Sequence, residues 1–199
     1  MVDTTVPKVA YDDVTKRPQP LQLKLSVEFQ RNGQPFPNAD AMLRDNAERV
    51  LRASGVIVPV ASSPEGEIRI VVNNIADMGD AVAKGFGSGL TLGLVGTTVT
   101  DAYQMEVTLT SSGKTIRRDN VKHALHTAIG NTTFPEGTEV LEPATAFGRV
   151  VEQMLLRVLR DMQQSGDLSW LRAPGLAVVA HLDSGYRPPY QRGAGGDKE

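Results

Sequence analysis

The sequence predicts an α+β domain on a mostly antiparallel sheet, in the order β-α-β-β-β-β-α, with both helices packed on one face. Three observations carry this. Residues 21–29 alternate apolar and polar side chains without an error, the two-residue period of a half-buried strand. Residues 102–110 alternate in the same way and lead through Ser111-Ser112-Gly113-Lys114 into a return run, which reads as a hairpin. Residues 39–53 and 143–164 each carry one apolar stripe at helical spacing.

In chain order, residues 1–20 are polar, contain Pro7, Pro18 and Pro20, and show no sustained period, so they read as a flexible N-terminal arm. The first strand begins at Leu21. Arg31-Asn32-Gly33-Gln34-Pro35 has turn chemistry, and Asn38 or Asp40 is expected to cap a helix whose stripe is Ala39, Leu43, Ala47, Val50 and Leu51. Gly55 is its expected stop. Val56-Ile57-Val58 reads as a short strand ended by Pro59, and residues 67–73 as another. Beyond the hairpin, the apolar parity slips from Ile116 to Val121 and Leu125, which predicts a bulge at residues 118–120. The last helix starts at Pro143, a residue suited to a first turn, buries Phe147, Val151, Met154, Leu155, Val158 and Met162, and ends before Gly166. The domain therefore covers residues 21–166. Residues 167–184, with Trp170, Val178 and Val179, read as an additional packing segment, and the Pro-, Gly- and Arg-rich residues 185–199 as a flexible tail.

Composition narrows the function. The 199 residues contain no Cys and three His, which removes thiolate chemistry and Cys-ligated metals. A formal charge of -2 lacks the excess that neutralises a phosphate backbone, so no nucleic-acid partner is expected, although a local basic face could exist. No run reaches the about 18 to 20 apolar residues of a spanning helix.

The most unusual stretch is residues 85–100, an uncharged, Gly-spaced connection between two predicted strands. Phe86, Leu90, Leu92 and Leu94 would supply apolar area to a partner groove or membrane interface, while the glycines permit close backbone approach. The same residues could instead extend the hairpin into the domain's own core. The glycines do not make a nucleotide loop: no Gly-Lys-Ser/Thr ending follows, and strand-like residues stand where a helix is needed. Lys114, Arg117 and Arg118, with Lys122 and His123, form a basic edge that could steer an acidic partner or a lipid headgroup, or simply protect a sheet edge. His123 and His126, three apart in a strand, belong to opposite faces and make no metal pair. Ser111 and Ser112 have no acid–base partner, and Arg149, Arg157 and Arg160 read as the solvated face of the last helix. No catalytic, cofactor-binding or metal residues are assigned.

The polar arm, the strand–helix–strand start, the Gly-rich hairpin, the strand pair beginning Tyr103-Gln104-Met105-Glu106-Val107 and the long last helix together resemble the small α+β domains of bacterial outer-membrane lipoproteins of the envelope assembly and secretion accessory type. The resemblance covers residues 21–164. It implies a non-enzymatic periplasmic protein, held at the outer membrane through a lipidated Cys ahead of the arm. Such a protein would bind another envelope component, or a second copy, with possible peripheral membrane contact and no cofactor. The alternative is a cytoplasmic small-ligand-binding protein or enzyme with a pocket between sheet and helices.

Overall fold

The computed structural model describes residue 2 and residues 6–75, 98–128 and 141–169. Strand β1 (Leu21–Arg31) turns at Asn32-Gly33 into the two-residue β2 (Gln34–Pro35), and helix α1 (Asp40–Ser54) follows. Then come β3 (Ile57–Pro59), β4 (Gly66–Ile75), β5 (Thr98–Ser111), β6 (Lys114–Ala128) and helix α2 (Pro143–Gln164). The sheet runs β2-β1-β4-β5-β6, with β3 also on β1. It is mixed: β1 pairs in parallel with β3 and β4, and the other pairs are antiparallel. The fold class and the order of the main elements are those the sequence predicts, with β2 added where a turn alone was expected.

Both hairpin turns place two residues in the left-handed region, Asn32 and Gly33 at φ 50° and 77° and Ser112 and Gly113 at φ 51° and 74°. That twist matches the flanking strands, which is why two-residue turns of this kind close hairpins tightly. The parity slip in β6 is real: Met105 faces Val121 and Val107 faces Arg118, so Asp119 and Asn120 together oppose Glu106. Asn120 takes up the extra residue at φ 57°. The expected cap of α1 is different. Ala39 holds the N-cap position without a side-chain bond, and the Asp40 carboxylate accepts the Phe29 N–H at 2.7 Å, tying the start of the helix to β1.

One apolar cluster joins alternate residues of β1, β4 and β5 to the stripes of both helices, so α1 and α2 cover the same face of the sheet. The opposite face is polar and carries the pairs Glu28–Arg69 at 2.5 Å and Glu106–Arg117 at 2.8 Å. Exposed pairs of this kind contribute little to stability, at most about 1 kcal/mol each.

Residues 6–20, expected as an arm, lie along α2. Val9 and Val14 are buried in the core cluster, and Tyr11–Asp13 forms a 3₁₀ turn. Two glutamines of α2 bracket this segment. The Gln153 side chain accepts the Val9 N–H at 2.8 Å and donates to the Val9 carbonyl at 3.1 Å, and Gln163 does the same to Thr15 at 3.0 and 2.6 Å. With the arm on one side and the sheet on the other, α2 is buried around most of its circumference, Glu152 and Gln153 included. Arg157 is accordingly not on a solvated face. It donates to the Lys122 carbonyl at 3.1 Å, and burial lowers its pKa from the ordinary arginine value, with Arg160 nearby adding to the effect. Leu168, the start of the additional segment, is buried and its carbonyl accepts from Arg17 at 2.8 Å. The expectations for residues 170–199 lie outside the described residues.

Gly66 opens β4 against the end of β5, and a Cβ there would stand 2.1 Å from the Thr110 carbonyl oxygen and 2.8 Å from Ser111 Cβ. Since the first obstacle is backbone, Gly66→Ala must displace the β4–β5 ladder. A loss of about 1 to 3 kcal/mol in denaturant unfolding is the expected result, and an unchanged midpoint would show that the ladder end yields freely.

Candidate functional site

The sequence-predicted contact residues fall into two groups. Phe86, Leu90, Leu92 and Leu94 lie outside the described residues. Lys114, Arg117 and Arg118 lie at the start of β6, but the structure does not gather them into one patch. Arg117 sits opposite Thr108 on the polar face and pairs with Glu106. Arg118 sits opposite Val107 on the helix-bearing face, where it pairs with Asp161 and, at 2.5 Å, with Asp167. These bonds raise the Arg118 pKa, its bond to Asp161 foremost, while bonds from Ser165 and then Arg118 hold the Asp167 carboxyl below the usual range. Two adjacent arginines in a strand thus serve opposite faces, each with its own acidic partners. His123 is buried and its Nδ1 accepts the Ala124 N–H at 2.9 Å; Ser111 donates to the Glu65 carbonyl at 2.8 Å. Among the described residues no three His, Cys, Asp or Glu side chains converge as metal ligands, and no helix is long and apolar enough to cross a membrane.

Two regions stand out in their place. The first is the end of the sheet at which β1 turns into β2, β4 ends at Ile75 and β5 begins at Thr98, the two strands joined in sequence by residues 76–97. A line of rings leads there from the core: Tyr103 to Phe147 at 5.6 Å, Phe147 to Phe29 at 5.8 Å and Phe29 to Phe36 at 6.3 Å. Burial, helped by the charge of Asp101, pushes the Tyr103 phenol up to about 12, so it stays protonated and serves as a packing ring. Phe36 at the outer end and Met42 in the first turn of α1, each 39% exposed, are the exposed large apolar side chains among the described residues. The sequence reading did not single them out, because scattered exposed apolar residues are ordinary until the fold groups them.

The second is a groove of about 420 Å³ between α1 and the first turns of α2, lined among others by Asn46, Arg49, Thr145, Arg149 and Glu152. The helices approach closely at Gly148, where a Cβ would stand 2.7 Å from Asn46 Oδ1. Glu152, 6% exposed in its side chain, is reached by Arg49 at 3.5 Å and Arg149 at 3.0 Å. Tyr11 of the docked arm donates its phenolic proton to the same carboxylate at 3.1 Å. Burial, and then the neighbouring Glu152 charge, raise the Tyr11 pKa, which keeps that proton in place. The arrangement is one buried carboxylate that holds two half-exposed guanidiniums and one phenol.

No protein-family model and no curated protein matches this chain. It is similar to the crystal structure of a Xanthomonas campestris protein of the family DUF330, with a TM-score of 0.38 and 15% identity, covering 78% of this chain and 94% of that one. It is also similar to the crystal structure of an uncharacterized protein, with a TM-score of 0.26 and 12% identity, covering 76% of this chain and 94% of that one.

Proposed function

We propose that this is a non-enzymatic bacterial cell-envelope protein, periplasmic and anchored at the outer membrane in its full-length form, that binds another envelope component or a second copy through the β4–β5 end of its sheet. The observation that supports this reading most is the exposure of Phe36, at the end where residues 76–97 join β4 to β5 in sequence, and of Met42 in the first turn of α1. The stretch of sequence between these two strands carries Phe86, Leu90, Leu92 and Leu94 and no charge from residue 85 onward, the composition of a contact element. The envelope assignment rests on the resemblance of the sequence pattern to outer-membrane lipoprotein domains. The alternative, a cytoplasmic small-ligand protein or enzyme, needs a pocket between sheet and helices, where among the described residues Leu43, Ile70, Met105 and Leu155 are fully buried.

The test is in-cell photo-crosslinking from Met42 and from Leu92 in the full-length protein, with Lys24 on the polar sheet face as control. Discrete adducts in the envelope fraction from the first two positions, and none from the third, are expected. Phe36→Ser with Met42→Ser, and separately Leu92→Ser with Leu94→Ser, should weaken the adduct tenfold or more without moving the melting temperature, since burying each such side chain contributes roughly 1.5 to 3 kcal/mol at a contact. No adduct, or adducts from Lys24 alone, would sink the proposal. Collapse of the fold in the Leu92/Leu94 variant would instead place those residues in the core.

A further inference from the structure

The groove between α1 and α2 plays no part in that contact, and its charges are arranged for a ligand of their own. Arg49 and Arg149 stand 100 positions apart in the chain, come from different helices, and converge on the single carboxylate of Glu152. Their side chains are 54% and 51% exposed, so one buried negative charge fixes two cations that still face solvent. Both oxygens of the carboxylate are engaged. One oxygen accepts from Arg149, and the other accepts from Tyr11 and faces Arg49. Asn46 Oδ1 accepts from Arg49 Nη2 at 3.0 Å and holds the second guanidinium from the side.

The result is two oriented guanidinium forks with a residual charge of one positive unit in an opening of about 420 Å³. A guanidinium fork matches paired oxygens, and two arginines from different helices can share the several oxygens of a tetrahedral oxyanion, whereas one fork alone would satisfy a planar carboxylate. A singly charged phosphate or phosphodiester would neutralise the site. The first turn of α2, whose N-cap makes no side-chain bond, lines the same groove through Ala144 and Thr145 and adds the positive end of a long helix.

We propose that this groove binds a phosphate-type oxyanion, held between Arg49 and Arg149, with Glu152 and Asn46 as the residues that position the two forks. The oxyanion is either free phosphate or the phosphodiester of a lipid headgroup, and both present the same tetrahedral oxygens. The proposal is independent of the apolar contact at the sheet end, whose variants leave the groove untouched.

The experiment titrates the intact protein with inorganic phosphate by calorimetry at low ionic strength, and in parallel measures co-sedimentation with vesicles of phosphatidylglycerol in phosphatidylcholine. Saturable binding in at least one arm is expected, and Arg49→Gln with Arg149→Gln should weaken it tenfold or more. Arg69→Gln, on the polar sheet face, should leave it unchanged. Because the double variant exposes the buried carboxylate to loss of both partners, Arg49→Lys with Arg149→Lys is measured beside it. Charge is kept there and the forks are lost, so a severalfold weakening is expected. Binding to phosphate identifies a free-anion site, and binding to vesicles alone identifies a headgroup site. Absence of saturable binding in both arms, equal binding by wild type and the lysine variant, or equal loss in Arg69→Gln would each overturn the proposal.

Discussion

Replacing Leu155 with alanine is expected to lower the free energy of unfolding by about 2 to 5 kcal/mol. Leu155 is fully buried in the cluster that joins α2 to the sheet, with Met154 and Leu156 as equally buried neighbours on the same helix. Truncation removes the transfer free energy of the lost atoms and leaves a cavity whose walls are only partly free to close. Flexible Met154 and Met162 can move into part of the void, whereas the sheet, held in ladders across β1, β4, β5 and β6, cannot contract around it. The measurement is urea unfolding followed by far-ultraviolet circular dichroism, with Lys24→Ala on the polar face as a control expected to stay within about 0.5 kcal/mol. If Leu155→Ala unfolds at the wild-type midpoint, the helix does not cover the sheet as described.

The sheet was legible because each strand buries one face. Alternation in residues 21–29 and 102–110 follows directly from that, and even the bulge at Asp119 and Asn120 announces itself, since one inserted residue must shift apolar parity. The stripes of both helices were legible for the same reason. The burial of the rest of α2 was not. A helix sandwiched between a sheet and an extended segment needs polar residues where that segment's backbone must be satisfied, so Glu152 and Gln153 look solvated in sequence while both are buried. Residues 6–20 escape pattern reading altogether. An extended chain that docks through Val9 and Val14, five positions apart, has neither a two- nor a 3.6-residue period. Proline there removes only donors that no ladder was using. Gln153 and Gln163, polar residues ten apart on a largely apolar helix, were the available signal.

The candidate sites divide along the same line. Arg117 and Arg118 look like one basic patch in sequence, but neighbouring strand residues face opposite sides, so the pleat separates them, and Glu106 takes up the first while Asp161 and Asp167 take up the second. The groove is the reverse case. Arg49, Arg149 and Tyr11 come from three distant segments, and nothing short of the packing of α1, α2 and the arm brings them to Glu152.

Gln153→Ala is expected to release the arm and to cost about 2 to 4 kcal/mol of stability, because its amide holds both backbone groups of Val9 in the way that one residue of a strand partner would. Without it the chain has two options. The Val9 N–H and carbonyl can stay in place unpaired, at about 1 to 3 kcal/mol for each stranded group. Alternatively the segment can lift off, which hydrates those groups but takes Val9 out of the core, a loss of about 1.5 kcal/mol or more. Either route also loosens Tyr11 from Glu152. Gln163→Ala removes the same bracket at Thr15, but those bonds are exposed and water can replace them, so its cost should stay near 1 kcal/mol or below. The two variants therefore control for one another: same residue type, same helix, same bond pattern, different burial. Limited trypsin digestion reads the arm directly, since Lys8, Lys16 and Arg17 flank or follow the bracketed positions, and amide exchange at Val9 gives the local opening. Cleavage after Lys8 should accelerate strongly in Gln153→Ala and little in Gln163→Ala. Equal digestion of Gln153→Ala and wild type would mean that Val9 and Val14 hold the arm by apolar contact alone and that the glutamine bracket adds nothing.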